Sequence, residues 1–92
     1  MGAPKIVLDG HNYFATELCI VNEVPERYLY AGELTDQEKK YAFIDGSKYY
    51  TPNSDGVPED FYIYQECGTP VSEHEVDNTK RQWAYVKWRL ED

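Results

Sequence analysis

Long apolar runs are missing from this chain: no stretch approaches the ~18 consecutive apolar residues of a membrane helix. The N-terminus has no basic segment followed by an apolar one, so no secretory leader is expected. Gly2-Ala3-Pro4-Lys5-Ile6 lacks the Ser or Thr of a myristoylation signal. A soluble protein with no membrane partner is expected, cytoplasmic unless the sequence is a domain excised from a longer exported protein.

Cysteine and histidine are scarce. The two cysteines, Cys19 and Cys67, form no Cys-x-x-Cys pair. A bridge between them would contribute about 4 kcal/mol on the loop-entropy account, provided their Cα atoms come within roughly 7 Å. With no other export signal, reduced and buried thiols are expected. Zinc requires three or four ligands, and Cys67 with His74 is the lone Cys/His pair at loop spacing. Asn53, Asp55, Gly56 and Glu59 echo part of a calcium loop, but Thr51 stands at its first ligand position and Tyr62 where a bidentate glutamate belongs. No metal or cofactor is expected. His11 follows a turn and His74 lies between Glu73 and Glu75, so both read as solvated histidines and neither as a catalytic base. The chain is therefore read as a non-enzyme.

Positive charge is the other shortage. Nine Lys and Arg stand against seventeen Asp and Glu, for a formal charge of −8, which disfavours nucleic-acid phosphates and anionic membrane surfaces as partners. Between Lys48 and Lys80 there is no Lys or Arg, while Asp55, Glu59, Asp60, Glu66, Glu73, Glu75 and Asp77 all fall there. Such a block reads first as solvated loops.

What is present is apolar and, above all, aromatic. Hydrophobic residues make up 41% of the 92, well clear of the disordered regime, and the length suits one small domain over residues 1–92. Nine tyrosines, three phenylalanines and two tryptophans imply rings at the edge of a small core, since tyrosine packs its ring while its hydroxyl seeks a polar partner.

A short pattern occurs twice, as Leu8-Asp9-Gly10-His11-Asn12-Tyr13-Phe14 and as Ile44-Asp45-Gly46-Ser47-Lys48-Tyr49-Tyr50. In both, an apolar run meets Asp-Gly and aromatic residues follow, which is a hairpin signal. The first would pair Ile6 to Leu8 with Tyr13 to Ala15, the second Ala42 to Ile44 with Tyr49 and Tyr50. Leu18 to Val21 reads as a strand ending before Pro25, and 27–34 as a strand bent at Gly32. Thr35-Asp36-Gln37-Glu38 is a capping box, predicting a short helix near residues 36–42. A second, weaker box at Ser72 to Glu75 predicts one helical turn. Thr51 to Pro58 reads as a surface loop. Phe61 to Gln65 and Gln82 to Leu90 alternate strongly and are expected to pair. The fold class is thus mostly β with a minor α part, a small antiparallel sheet or partly open barrel built from hairpins.

Pairing those two strands would gather Tyr62, Tyr64, Trp83 and Tyr85 on one sheet face, leaving Phe61, Ile63, Ala84, Val86 and Trp88 for the core. Tyr and Trp are enriched at interfaces and hot spots. The leading expectation is a protein-interaction domain that uses this face, bordered by Asp55, Glu59 and Asp60 and by Glu73, Glu75 and Asp77, to bind a basic protein surface. One variant is a small acidic inhibitor that fills a basic nucleic-acid channel by imitating phosphate charge. The alternative is a carbohydrate or cell-wall ligand module from a larger exported protein, with the rings as a stacking platform.

Overall fold

Asp9 and Gly10 both adopt positive φ, 51° and 80°. That pair of values makes the mirror-image turn whose twist matches two antiparallel strands, and it closes the first hairpin between β1 (Lys5–Leu8) and β2 (His11–Val21) with Leu8 opposite His11 and Ile6 opposite Tyr13. The computed structural model describes residues 3–72 and 75–91, without the side chains of 17–19. Four further strands follow: β3 (Tyr28–Glu33), β4 (Lys48–Pro52), β5 (Asp60–Pro70) and β6 (Val76–Leu90). All six join one antiparallel sheet in the order β1-β2-β6-β5-β4-β3, curled into a half-barrel.

The expected pairing of the two alternating segments is present and longer than expected. β5 and β6 form a ribbon running from Asp60 opposite Arg89 to Pro70 opposite Val76. Gly68-Thr69-Pro70 does not end β5; the strand absorbs them at an irregularity after Gly68. On β6's other side β2 pairs Tyr13 with Leu90 and, beyond a bulge, Ile20 with Val86. β3 is an edge strand with its irregularity between Tyr30 and Gly32, where a bend is expected.

Period-2 alternation divides the sheet into two faces. Ile6, Tyr13, Phe61, Ile63 and Trp88 are the largest fully buried side chains, each contributing roughly 1.5–3 kcal/mol by burial. Leu34 and Ala42, from the connection between β3 and β4, close over this inner face. Trp88 donates its indole N–H to Gln65 Oε1 at 2.9 Å, which pairs the amide oxygen of the one buried polar side chain among the described residues.

The connection departs from expectation twice. Residues 36–42 form turns and no helix, although the capping box itself is made: Glu38 Oε1 accepts from Thr35 N–H at 2.8 Å and Thr35 Oγ1 from Glu38 N–H at 3.2 Å. One helical-type bond, from Lys39 N–H to Thr35 C=O, is followed by tighter ones. Helix propagation loses because the carbonyls of Glu38 and Tyr41 accept instead from Val7 and Lys5 N–H. The segment thereby covers the outer edge of β1, which would otherwise be an unpaired strand edge.

The second Asp-Gly, likewise, is not a hairpin turn. Ala42 to Ile44 form no strand. Gly46, at φ 119°, packs so closely on β5 that a Cβ there would collide with the Tyr64 carbonyl oxygen and lie 3.0 Å from Gln65 Cα. Asp45 C=O accepts from Glu66 N–H at 3.3 Å, so the segment continues the sheet edge where β4 stops pairing with β5. The second capping box, with Glu73 and His74, lies outside the described residues.

Candidate functional site

The outer face of the sheet is built from the positions that alternate away from the core. Tyr64 stands opposite Tyr85, Glu66 opposite Trp83 and Tyr62 opposite Lys87 across the ribbon. β4 adds Tyr50 opposite Tyr62, and β3 adds Tyr30 opposite Tyr50. The rings form one connected array: Tyr30 meets Tyr50 at 5.5 Å, Tyr50 meets Tyr85 at 5.4 Å, Tyr85 meets Tyr64 at 5.0 Å, and Tyr64 meets Trp83 at 5.4 Å. Tyr30, Tyr64 and Trp83 are exposed, at 56%, 38% and 46% of their surface, and Tyr50 and Tyr85 are half-buried. Trp83 also leans toward the bare backbone of Gly46. Burial, and then the Tyr50 hydroxyl beside it, raise the Tyr85 phenol above the ordinary tyrosine range.

Tyr62 belongs to this face by register but not to its surface. It is 6% exposed, covered by the Tyr28 ring packed edge-on at 4.8 Å. Tyr28 is held there by polar bonds: its hydroxyl donates to Asp60 Oδ1 at 2.5 Å and accepts from the Arg27 guanidinium at 3.1 Å. Lys87 Nζ reaches the other Asp60 oxygen at 3.4 Å. Burial first, then the Asp60 hydrogen bond, push the Tyr28 hydroxyl far above the ordinary tyrosine value. Tyr62 is therefore a packing residue, and Asp60 is engaged in this internal network.

The acidic loops do not form one border. Asp55 and Glu59 are exposed in the loop before β5, and Asp60 opens that strand. Glu75 is exposed at the far end of the ribbon, and Asp77 pairs with Thr69 there. The two groups sit at opposite ends of the 11-residue β5, about 30 Å apart at ~3.3 Å per residue. Asp77 is occupied locally, accepting from the Thr79 hydroxyl and N–H, which hold its carboxyl below the usual range. Glu73 lies outside the described residues.

The ring array therefore keeps Tyr64, Trp83 and Tyr85, loses Tyr62 and gains Tyr30 and Tyr50, which sequence reasoning left out. The signal for both was their strand alternation: once β4 joins β5, Tyr50 faces outward with Tyr62, and β3 follows in turn.

A second concavity lies on the inner face. A cleft of about 420 Å³ is lined by Ile20, Ile44, Val86 and Trp88, by Gln65 and Cys67, and at its mouth by Phe43 and Arg81. Cys67 carries a free, buried thiol. Burial raises the pKa of this thiol. Among the described residues no group of three His, Cys, Asp or Glu side chains is placed to hold a metal ion. No helix of the described residues is long and apolar enough to cross a membrane. The fold is thus a six-stranded curled antiparallel sheet with a ring-covered outer face and an inner cleft. No family model matches the chain, and no curated protein or solved structure matches it.

Proposed function

We propose that the protein is a non-enzymatic interaction domain whose outer sheet face docks on a basic protein surface. The observation that carries this reading is the continuous array from Tyr30 through Tyr50, Tyr85 and Tyr64 to Trp83, with three of the five rings exposed. Rings already fixed by their neighbours lose little side-chain entropy on docking, while their exposed faces offer the area that interface anchors bury. The net charge of −8 supplies the long-range attraction to a basic partner. The same charge suits an inhibitor that occupies a basic groove of an enzyme.

Ring geometry weighs against a sugar platform on this face. Stacking on an extended flat sugar favours rings lying side by side in one plane; Tyr64 and Trp83 are inclined by 35° and Tyr64 and Tyr85 by 47°, but Tyr30 and Tyr50 by 61° and Tyr50 and Tyr85 by 81°, so the array has no common plane. Such rings offer edges and corners, which suit an irregular protein surface.

The test is a binding isotherm with the partner purified after capture from the source cell. The double change Tyr64→Ala with Trp83→Ala should weaken binding at least tenfold, and raising salt should weaken the wild-type complex steeply. Equal affinity for the double variant, at a melting temperature matching the wild type, would remove this face from the interaction.

A further inference from the structure

Among the described residues Gln65 is the lone buried polar side chain, 7% exposed, at an inward position of β5 between Ile63 and Cys67. The orientation of its amide follows from chemistry. The Trp88 indole is donor-only, so the oxygen of Gln65 must face it, and the 2.9 Å bond is to Oε1. The NH₂ end therefore points away from Trp88, and no hydrogen bond from it to a described residue is present. Among the described residues no fully enclosed side-chain nitrogen or oxygen lacks a partner, so this NH₂ is not sealed in the core but reaches open space, and the cleft is what Gln65 lines.

Three further observations converge there. The surrounding wall is apolar, from Ile20, Ile44, Val86 and Trp88. Arg81 lines the same cleft, and its positive charge is felt at the Cys67 thiol next to Gln65 on that face. Phe43, at the mouth, is 84% exposed and is held at φ 57°, a left-handed conformation that is strained for a bulky residue and is concentrated at ligand clamps. The lining carboxylates stand apart from the floor: Asp45 is exposed and turns its carbonyl to Glu66 N–H, and Glu66 alternates to the outer face opposite Trp83.

We infer that this inner cleft is a binding site for a small carboxylate with an apolar body. The body lies against Trp88, Val86 and Ile20, the Phe43 ring closes over it, and the carboxylate takes the Gln65 NH₂ and the Arg81 guanidinium as donors. A volume of about 420 Å³ lies within the range of small-molecule pockets. The Gln65 NH₂ offers the cleft a hydrogen-bond donor, which selects an acceptor head group, and Arg81 selects an anionic one. The site is separate from the outer ring array and stands or falls independently of it.

The probe is 4-phenylbutyrate, compared with 4-phenylbutan-1-ol, followed by ¹H–¹⁵N correlation spectra of the intact chain. The acid should shift the Gln65 side-chain NH₂ and the Trp88 indole signals saturably, leave the Trp83 indole unmoved, and bind roughly tenfold more tightly than the alcohol. Arg81→Gln, a change at an exposed position, should remove most of that preference. Gln65→Glu, which keeps an acceptor for Trp88 while replacing the donor with a carboxylate, should abolish binding of the acid. Absence of saturable shifts at Gln65 and Trp88, equal affinity for acid and alcohol, or an unchanged preference in Arg81→Gln would each overturn the inference. Shifts at Trp83 alone would overturn it too, since they would place the probe on the outer face.

Discussion

Trp88 and Gln65 satisfy each other in the middle of the core: the indole N–H donates to the amide oxygen at 2.9 Å while both side chains are buried. Replacing Gln65 with Leu leaves a buried N–H without an acceptor, and the stability loss should be about 1–3 kcal/mol. Urea denaturation followed by Trp fluorescence measures it. An unchanged midpoint would show that the indole finds another acceptor.

The two Asp-Gly pairs should respond differently to alanine. Nothing lies within 4 Å of a Cβ on Gly10, so Gly10→Ala loses only the left-handed preference, about 1–2 kcal/mol. Gly46→Ala must also move the β5 backbone at Tyr64 and press on Trp83, and should cost more, above roughly 2 kcal/mol, with a shifted Trp83 emission. Equal melting temperatures for the two variants would contradict the close approach at Gly46.

Glu38→Ala removes one half of the reciprocal pair with Thr35, a loss of about 0.5–1 kcal/mol. Far-UV circular dichroism should not change, because residues 36–42 hold no helix to lose. Hydrogen exchange of the Lys5 and Val7 amides should accelerate, because their acceptors sit in this turn. A fall in helical signal would contradict the turn geometry.

Alkali should act through Tyr28. Its folded hydroxyl ionises far above the unfolded value of about 10, so its contribution to stability is complete below pH ~10 and declines as pH rises beyond it. Tyr85 and Tyr49 are displaced in the same direction. Thermal melts between pH 8 and 12 should therefore fall above pH ~10, and fall less in Tyr28→Phe. A parallel decline in both proteins would mean that the Asp60 bond does not control Tyr28.

Alternation was the legible part of this chain. Phe61, Ile63, Ala84, Val86 and Trp88 face inward and Tyr64, Trp83 and Tyr85 outward as their spacing implies, because a strand offers two faces and only one covers the core. The Asp9-Gly10 turn was legible for the same local reason, since two positive φ values suffice to define it. Tertiary competition hid the rest. Thr35 to Glu38 writes a correct cap, yet the carbonyls that would extend the helix serve β1 instead. Asp45-Gly46 has the turn's residues but uses the missing Cβ for contact with Tyr64. Tyr62 faces outward by period, and the Tyr28 ring, held in place by a bond to Asp60 far away in sequence, buries it. The inner cleft was hidden because Gln65 reads as one polar residue in an aromatic strand until Trp88 is seen to claim its oxygen.

Site-specific photocrosslinking tests the central claim most directly. A benzoylphenylalanine placed at position 83 lies in the exposed ring array, and one placed at position 43 is still more open to solvent but lines the inner cleft. In the source cell, the reporter at 83 should capture a basic protein and the reporter at 43 should not. Capture from position 43 with none from position 83 would contradict the assignment of partner binding to the outer face.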